Sequence, residues 1–148
     1  MPSSVQTKIV QDKASLSNVR KAIRADMTRV GIDPSKAFDC LVAVTEACTN
    51  ALLYGTSGSH GIQPQIAWRI DAQAAYFWVQ DHSSQEWSRA AHPSRRGRTE
   101  VRRTEEKNQA FEKEKGYGLE IMSGLMDEVD IASGPGGTTV ALVKRFTS

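Results

Sequence analysis

Apolar residues recur with the period of an α-helix through the first third of the chain. One stripe ends just before Gly31, a residue that favours a helix C-terminus, and it consists of Leu16, Val19, Ile23, Met27 and Val30. Asp33-Pro34 then predicts the N-cap and first turn of a second helix, which runs to about Tyr54 and ends at Gly55. Its predicted apolar stripe comprises Phe38, Leu41, Val42, Thr45, Thr49, Leu52 and Leu53.

The other predicted elements are mostly strands. Val5, Thr7 and Ile9 alternate with polar residues and predict a short first strand, and residues 66–70 and 75–80 predict a hairpin. Leu119, Met122 and Met126 indicate a third helix, and two strands follow it, over 129–132 and 138–145. The resulting order of elements predicts an α+β two-layer sandwich. Its sheet is expected to be mixed and mostly antiparallel, with the helices on one face.

Composition narrows the class of protein. The 148 residues are 39% hydrophobic and 24% charged, which is ordinary for one globular domain, and we expect a single domain over 1–148. The net charge of +2 gives no field for binding polyanions, and no apolar run is long enough to cross a membrane. Cys40 and Cys48 would lie roughly 12 Å apart on one helix, too far for a disulfide, which favours a reducing compartment.

The segment 82–115 differs from the rest of the chain because it is polar and highly charged. Arginines dominate its first half and glutamates its second half. A stretch this long inside a compact domain is typically a functional lid or disordered. Its arginines would also suit a nucleic acid, but the nearby glutamates and the shortage of interleaved aromatic residues argue against direct nucleic-acid binding.

Glu46 and Asn50 are the first candidate functional pair. They are four residues apart, so they stack on one side of the second helix, beside the small residues Ala43 and Ala47. A carboxylate and a carboxamide placed in this way can hold a hard cation and orient a nucleophile. Two solvated polar residues at the edge of an apolar stripe would give the same pattern.

Three other short motifs have both a functional and a structural interpretation. Gly116-Tyr117-Gly118-Leu119 precedes a helix and would let a phosphate approach the backbone, or it simply ends a loop. Gly136-Gly137-Thr138-Thr139 leads into the last strand. It would either contact a ligand or form a hairpin turn. Asp81 lies at the end of an apolar strand. Its carboxylate would accept a hydrogen bond from a ligand amine, or the residue would simply be part of a turn.

The order of these motifs resembles the Bergerat-fold ATPases, and most closely the bacterial anti-sigma-factor serine/threonine kinases, within the histidine-kinase-like ATPase superfamily. Thr45-Glu46-Ala47-Cys48-Thr49-Asn50-Ala51 is similar to their first box. Residues 116–122, followed by Met126-Asp127-Glu128-Val129, are similar to their second glycine box, and Gly137-Thr138-Thr139-Val140 to their closing strand. The resemblance covers nearly the whole chain.

The resemblance implies a role for each matching residue. Asn50 would bind a magnesium ion that bridges the ATP phosphates, and Glu46 would be the general base. Asp81 would accept from the adenine amino group, assisted through water by Thr138 or Thr139. Gly116 and Gly118 would admit the phosphates, with Leu119 also at the nucleotide site. Segment 82–115 would be the ATP lid. Arg20 would contact protein partners.

For the whole protein, the resemblance implies a cytoplasmic, homodimeric anti-sigma factor. It would bind a sigma factor and phosphorylate a serine of an anti-anti-sigma protein with ATP and Mg²⁺. One motif departs from the family, because Asp81-His82-Ser83-Ser84-Gln85 stands where Asp-x-Gly-x-Gly is expected. The alternative is therefore a non-catalytic sigma-factor- or partner-binding module with weak or lost ATP binding.

Overall fold

The computed structural model describes residues 4–54, 62–82 and 119–147. Three sequence predictions lie outside this part of the chain: the helix end at Gly55 with the loop after it, the lid from residue 83 onward, and the glycines at 116 and 118. The described elements are β1 (Gln6–Ile9), α1 (Lys13–Val30), α2 (Pro34–Tyr54), β2 (Gln65–Ile70), β3 (Ala74–Asp81), a helical segment over 119–125 called α3, β4 (Glu128–Gly134) and β5 (Gly137–Arg145).

The five described strands form one sheet in the order β1-β2-β3-β5-β4. Helix α1 packs against β2, and α2 packs against β3 and β5, so the core lies between the helices and one face of the sheet. The predicted α+β sandwich is confirmed. All four pairings among the described strands are antiparallel, so the parallel pairing that a mixed sheet would contain is not found among them.

Helix α1 ends at Gly31, as its sequence predicts, and it begins after a capping residue that the sequence analysis did not identify. Asp12 caps the N-terminus by accepting a hydrogen bond from the Ser15 backbone N–H at 2.8 Å, and Ser15 Oγ accepts from the Asp12 N–H. Gly31 ends the helix in the left-handed conformation, with φ of 87°. The apolar stripe is buried through Met27, and Asp26 accepts a hydrogen bond from Trp68 Nε1 of β2 at 2.8 Å.

Helix α2 has the predicted boundaries, but its predicted apolar stripe is only partly right, because Leu41 lies in the core and Leu52 packs against the core while other members lie outside it. Phe38 and Leu53 are each 65% exposed. The residues that face the sheet are mostly small, and they are Cys40, Leu41, Ala43, Val44, Ala47, Cys48 and Ala51. Small side chains let a helix lie close to a sheet. Helix α2 therefore buries the side that carries small residues and leaves large apolar side chains exposed on the opposite side.

The two cysteines are buried and free, as the spacing predicts. Burial disfavours the charged thiolate and raises the pKa of both thiols to about 12. Both groups are therefore neutral packing residues near pH 7.

The face of the sheet that points away from the helices carries aromatic side chains. Tyr76 and Trp78 alternate with the fully buried Phe77 and stack on each other with their ring centroids 6.2 Å apart. The Arg69 guanidinium lies 4.8 Å from the Tyr76 ring centroid. On β1, Ile9 is 56% exposed. None of the described helices covers this face.

Candidate nucleotide and partner site

Glu46 and Asn50 lie one turn apart on α2, and both are half-buried. Beside them Ala43 and Ala47 are buried against the sheet, so the two polar side chains lie at the border between the core and the outer surface. Within the described residues neither side chain forms a hydrogen bond or an ion pair. The two residues lie on one side of the helix, as their spacing predicts, and their side-chain oxygens are available to a ligand.

The end of β3 and the start of β5 bring Asp81 and Thr138 together. These residues are direct partners in the strand register, and the Thr138 backbone N–H donates to Asp81 Oδ1 at 3.3 Å. Both are almost completely buried, at 4% and 1% exposure. Since side chains alternate along a strand, Thr138 shares the helix-facing side with Asp81, whereas Thr139 lies on the other face. The structure thus brings Thr138, and not Thr139, to Asp81.

The Thr138 hydroxyl is an unusual group in this setting. It is buried and has no hydrogen-bond partner in the described part of the chain. Native proteins rarely leave a buried hydroxyl unpaired, because its desolvation costs about 1–3 kcal/mol. An unpaired hydroxyl next to a buried carboxylate fits a ligand that offers both a donor and an acceptor, as the amino-pyrimidine edge of adenine does.

Gly137 allows the close approach of these two strands. Its φ is +129°, and a Cβ atom at this position would lie 2.0 Å from the Asp81 carbonyl oxygen and 2.9 Å from His82 Cα. Real Cβ atoms do not come that close to backbone, so only glycine fits without moving the end of β3. The sequence analysis noted Gly137 as part of a motif but did not identify this contact.

Helix α3 is held in place at both of its described ends. Leu119 is 3% exposed and packs in the core with Met122. At the C-terminal end, Lys144 Nζ donates to the Leu125 carbonyl at 2.6 Å and pairs with Asp39 of α2 at 3.2 Å. Leu119 thus lies in the core at the first described position of α3, while Gly116 and Gly118 lie outside the described residues.

Arg20 is exposed on α1 and lines a depression between α1 and α2, which we call the α1–α2 groove. This part of the groove has a volume of about 200 Å³ and is lined by Arg20, Arg24, Phe38, Leu41, Val42, Thr45 and Glu46. The predicted partner contact and the predicted base therefore border one cavity. Sequence analysis missed Arg24, although it follows Arg20 by one helical turn, and it assigned Phe38 to the core.

The donors present fit a magnesium–nucleotide ligand. The Asn50 carboxamide oxygen is a hard ligand of the type that Mg²⁺ accepts when phosphates and water supply the other oxygens. Asp81 and the unpaired Thr138 hydroxyl, on strands that Gly137 allows to lie close together, suit a base that is recognised at the sheet.

Comparison with known proteins identifies the family to which this chain belongs. The model of the histidine kinase-like ATPase domain family matches residues 9–144, and the chain therefore belongs to that family, whose name implies ATP binding. A solved structure with the same fold is that of the RsbU and RsbW domains of Rv1364c from Mycobacterium tuberculosis. The two superpose with a TM-score of 0.66 at 19% identity, over 98% of this chain and 33% of the other.

The chain thus spans about a third of that solved protein. A search of curated proteins returned no significant match. Within the described residues, no helix has both the length and the apolar character needed to span a bilayer.

Proposed function

We propose that this chain is a cytoplasmic anti-sigma factor that binds ATP with Mg²⁺ and phosphorylates a serine of an anti-anti-sigma protein. The observation that carries the proposal is the buried pair of Asp81 and Thr138, with its unpaired hydroxyl, in a member of an ATPase domain family. The likeness to a solved structure that contains an RsbW domain supports this choice among the functions of the family.

In this proposal Asp81 accepts from the adenine amino group, and Thr138 pairs with a ring nitrogen directly or through water. Asn50 would hold the magnesium ion, while Gly116, Gly118 and Leu119 would border the phosphates. The ion would neutralise charge that develops on the transferred phosphoryl group. Glu46 accepts the proton of the attacking serine hydroxyl. Its place at the rim of the α1–α2 groove lets the hydroxyl arrive from the partner side.

Arg20 belongs to the proposed partner surface for the sigma factor and the anti-anti-sigma protein. It lines the same groove as Glu46. Within the described residues it forms no ion pair, so an acidic partner would meet an unneutralised guanidinium. A single protein surface of this kind would let the two partners compete for the chain.

The proposed homodimer has a surface that suits it. Tyr76 and Trp78 lie on the sheet face that no described helix covers, with Val143 beside them. In the strand register, Arg69 lies at one side of this row and Glu128 at the other. A twofold axis along the strands would place each Arg69 opposite the other subunit's acidic edge. Sedimentation velocity over a range of concentrations measures this state.

The first test is nucleotide binding by the full chain and by Asn50→Ala. The wild type is expected to bind Mg²⁺–ATP in calorimetry and to transfer label from ATP to an anti-anti-sigma protein. Asn50→Ala is expected to lose about ten- to a hundredfold in Mg²⁺-dependent affinity, because one ligand of the ion is gone. Binding measured in EDTA should not change.

Asn18→Ala, an exposed asparagine on α1, is the matched control for that variant. It should bind like the wild type under both conditions. Equal Mg²⁺–ATP affinity for Asn50→Ala and Asn18→Ala would contradict the assignment of the metal ligand.

The alternative function, a partner-binding module with weak or lost ATP binding, is favoured by Ser83 and Gln85 in the motif that follows Asp81. Both residues carry a Cβ, which disfavours a left-handed backbone by about 1–2 kcal/mol. If that cost falls on the bound state, it corresponds to roughly a five- to thirtyfold loss of affinity. Restoring the pattern with Ser83→Gly and Gln85→Gly should therefore tighten ATP binding by about that factor.

The result separates the two functions. Tight ATP binding by the wild type, with no gain in the double variant, would favour the kinase and remove the strain argument. The absence of ATP binding in both proteins would leave a nucleotide-independent sigma-factor antagonist.

A further inference from the structure

The α1–α2 groove continues from Arg20 toward the turn between the two helices. A second depression of about 280 Å³ shares Arg24, Phe38 and Leu41 with the first one. It extends the groove to Ile32 and Pro34, at the turn between the two helices. From Pro34 to Glu46 the groove follows about 18 Å of α2, given a rise of 1.5 Å per residue.

The floor of the groove is apolar, and one wall projects into solvent. Met27 and Leu41 are buried beneath it, and Ala37 and Val42 line it from α2. Phe38, which lines both depressions, is 65% exposed. A phenyl ring that stands out of an apolar groove is typical of a contact that is completed by another molecule.

The charged side chains along the groove are predominantly basic. Arg20 and Arg24 lie one turn apart on α1, and neither forms an ion pair within the described residues. By contrast, Arg29, further along α1, pairs with Asp26 outside the groove. Glu46, at the far end, is the one acidic residue among the lining residues of the two depressions. A complementary occupant is therefore apolar on one side and acidic along the edge that faces α1.

The walls of the groove also select the backbone conformation of the occupant. Both walls are α-helices, which have no free backbone groups to pair with an extended strand. A strand buried here would leave its own N–H and C=O groups unpaired, whereas a helix satisfies them internally. About three helical turns fill 18 Å, and the side chains of a third helix can pack between the ridges of α1 and α2.

We infer that the α1–α2 groove binds an acidic amphipathic α-helix of a partner protein. The apolar stripe of that helix packs on Phe38 and Leu41, and carboxylates one turn apart meet Arg20 and Arg24. This inference rests on the proposed role of Arg20 in partner binding and is independent of ATP chemistry. It adds Arg24 and Phe38 to the partner surface and specifies the class of element that binds there.

The test uses the full chain and a synthetic, side-chain-stapled helical peptide of about 14 residues, long enough to span the groove. The peptide carries leucines at helical spacing and glutamates one turn apart along one edge, and binding is followed by fluorescence anisotropy. We expect saturable binding below about 1 mM that weakens as salt is raised. A peptide with lysines in place of the glutamates, and one with a central proline, should bind at least about tenfold more weakly.

Two pairs of variants locate the site. Arg24→Glu should lose about tenfold in peptide affinity, and Lys21→Glu, an exposed charge reversal on α1 outside the groove, should lose less than about twofold. Phe38→Ser should likewise lose about tenfold, and Leu53→Ser, which is equally exposed on α2 outside the groove, should lose little. Melting temperature and ATP affinity are measured on the same four variants and should match the wild type.

Several results would overturn the inference. The first is that the acidic peptide shows no saturable binding, or that the lysine or proline peptide binds as tightly as the acidic peptide. The second is that the two variants of either pair lose the same affinity for the peptide. The third is that a single-stranded oligonucleotide binds more tightly than the acidic peptide. Failure of ATP binding in the wild type would remove the proposed kinase and leave the peptide result unaffected, so the two failures are distinguishable.

Discussion

Glu46→Gln is expected to slow phosphoryl transfer to the anti-anti-sigma protein by about 10²–10⁴-fold, which is the usual contribution of a positioned general base. In energy this is about 3–5 kcal/mol in the barrier. Glutamine keeps the size of the side chain and its capacity to accept a hydrogen bond, but it does not take up a proton. ATP affinity should therefore change little, and single-turnover transfer of labelled phosphate measures the effect.

The same chemical change at Glu128 of β4 is the matched control. Glu128 is exposed and pairs with Arg145, an arrangement that contributes little to stability. Glu128→Gln should transfer phosphate like the wild type when sedimentation velocity shows the same oligomeric state for both proteins. Equal rates for Glu46→Gln and the wild type would reject Glu46 as the base, and no transfer by any of the three proteins would favour the partner-binding module.

The local signals in the sequence predicted the element boundaries well. The apolar residues from Leu16 to Met27 repeat with a clear helical period, and Gly31 ends the helix shortly after them, whereas the capping residue Asp12 was not recognised. Such signals depend on neighbours in the chain, so they can be recognised without knowledge of the tertiary structure. The β2–β3 hairpin was predictable for the same reason, because Asp71 accepts hydrogen bonds from the Gln73 and Ala74 backbone N–H groups in the turn.

The buried face of α2 was not predictable by the same reasoning. A hydrophobicity pattern favours the side with the largest apolar residues, which places Phe38 and Leu53 inside. In the structure the sheet requires a close helix, and Ala43 and Ala47, fully or almost fully buried, provide it. The requirement comes from packing between elements that are distant in sequence, and Phe38, which is left outside, lines the α1–α2 groove.

The candidate site shows the same division between local and long-range information. The one-turn spacing of Glu46 and Asn50 is local and was recognised. The choice between Thr138 and Thr139 was left open, because it depends on the register that pairs Asp81 with Thr138 across two strands. The unpaired hydroxyl of Thr138 and the close contact at Gly137 likewise exist only once β3 and β5 are side by side.

Gly137→Ala is expected to give the largest loss of stability among single substitutions at the site. A positive φ outside the common regions costs a non-glycine residue of the order of 1–3 kcal/mol. The new methyl would lie 2.0 Å from the Asp81 carbonyl oxygen, and relieving such an overlap typically costs a further 1–3 kcal/mol or so. We therefore expect a loss of about 2–6 kcal/mol in the free energy of unfolding, measured by urea denaturation.

The same substitution should also abolish most of the ATP affinity, because the clash is relieved only if the end of β3 moves away from β5. That movement separates Asp81 from Thr138, whose hydrogen bond is already 3.3 Å long. Calorimetry at low temperature, where the variant remains folded, separates the loss of affinity from unfolding. Gly136→Ala is the control from the same turn, since a Cβ there has no atom within 4 Å and should change stability by less than about 0.5 kcal/mol. Equal behaviour of the two alanine variants would show that the close contact between β3 and β5 does not hold the base-binding pair together.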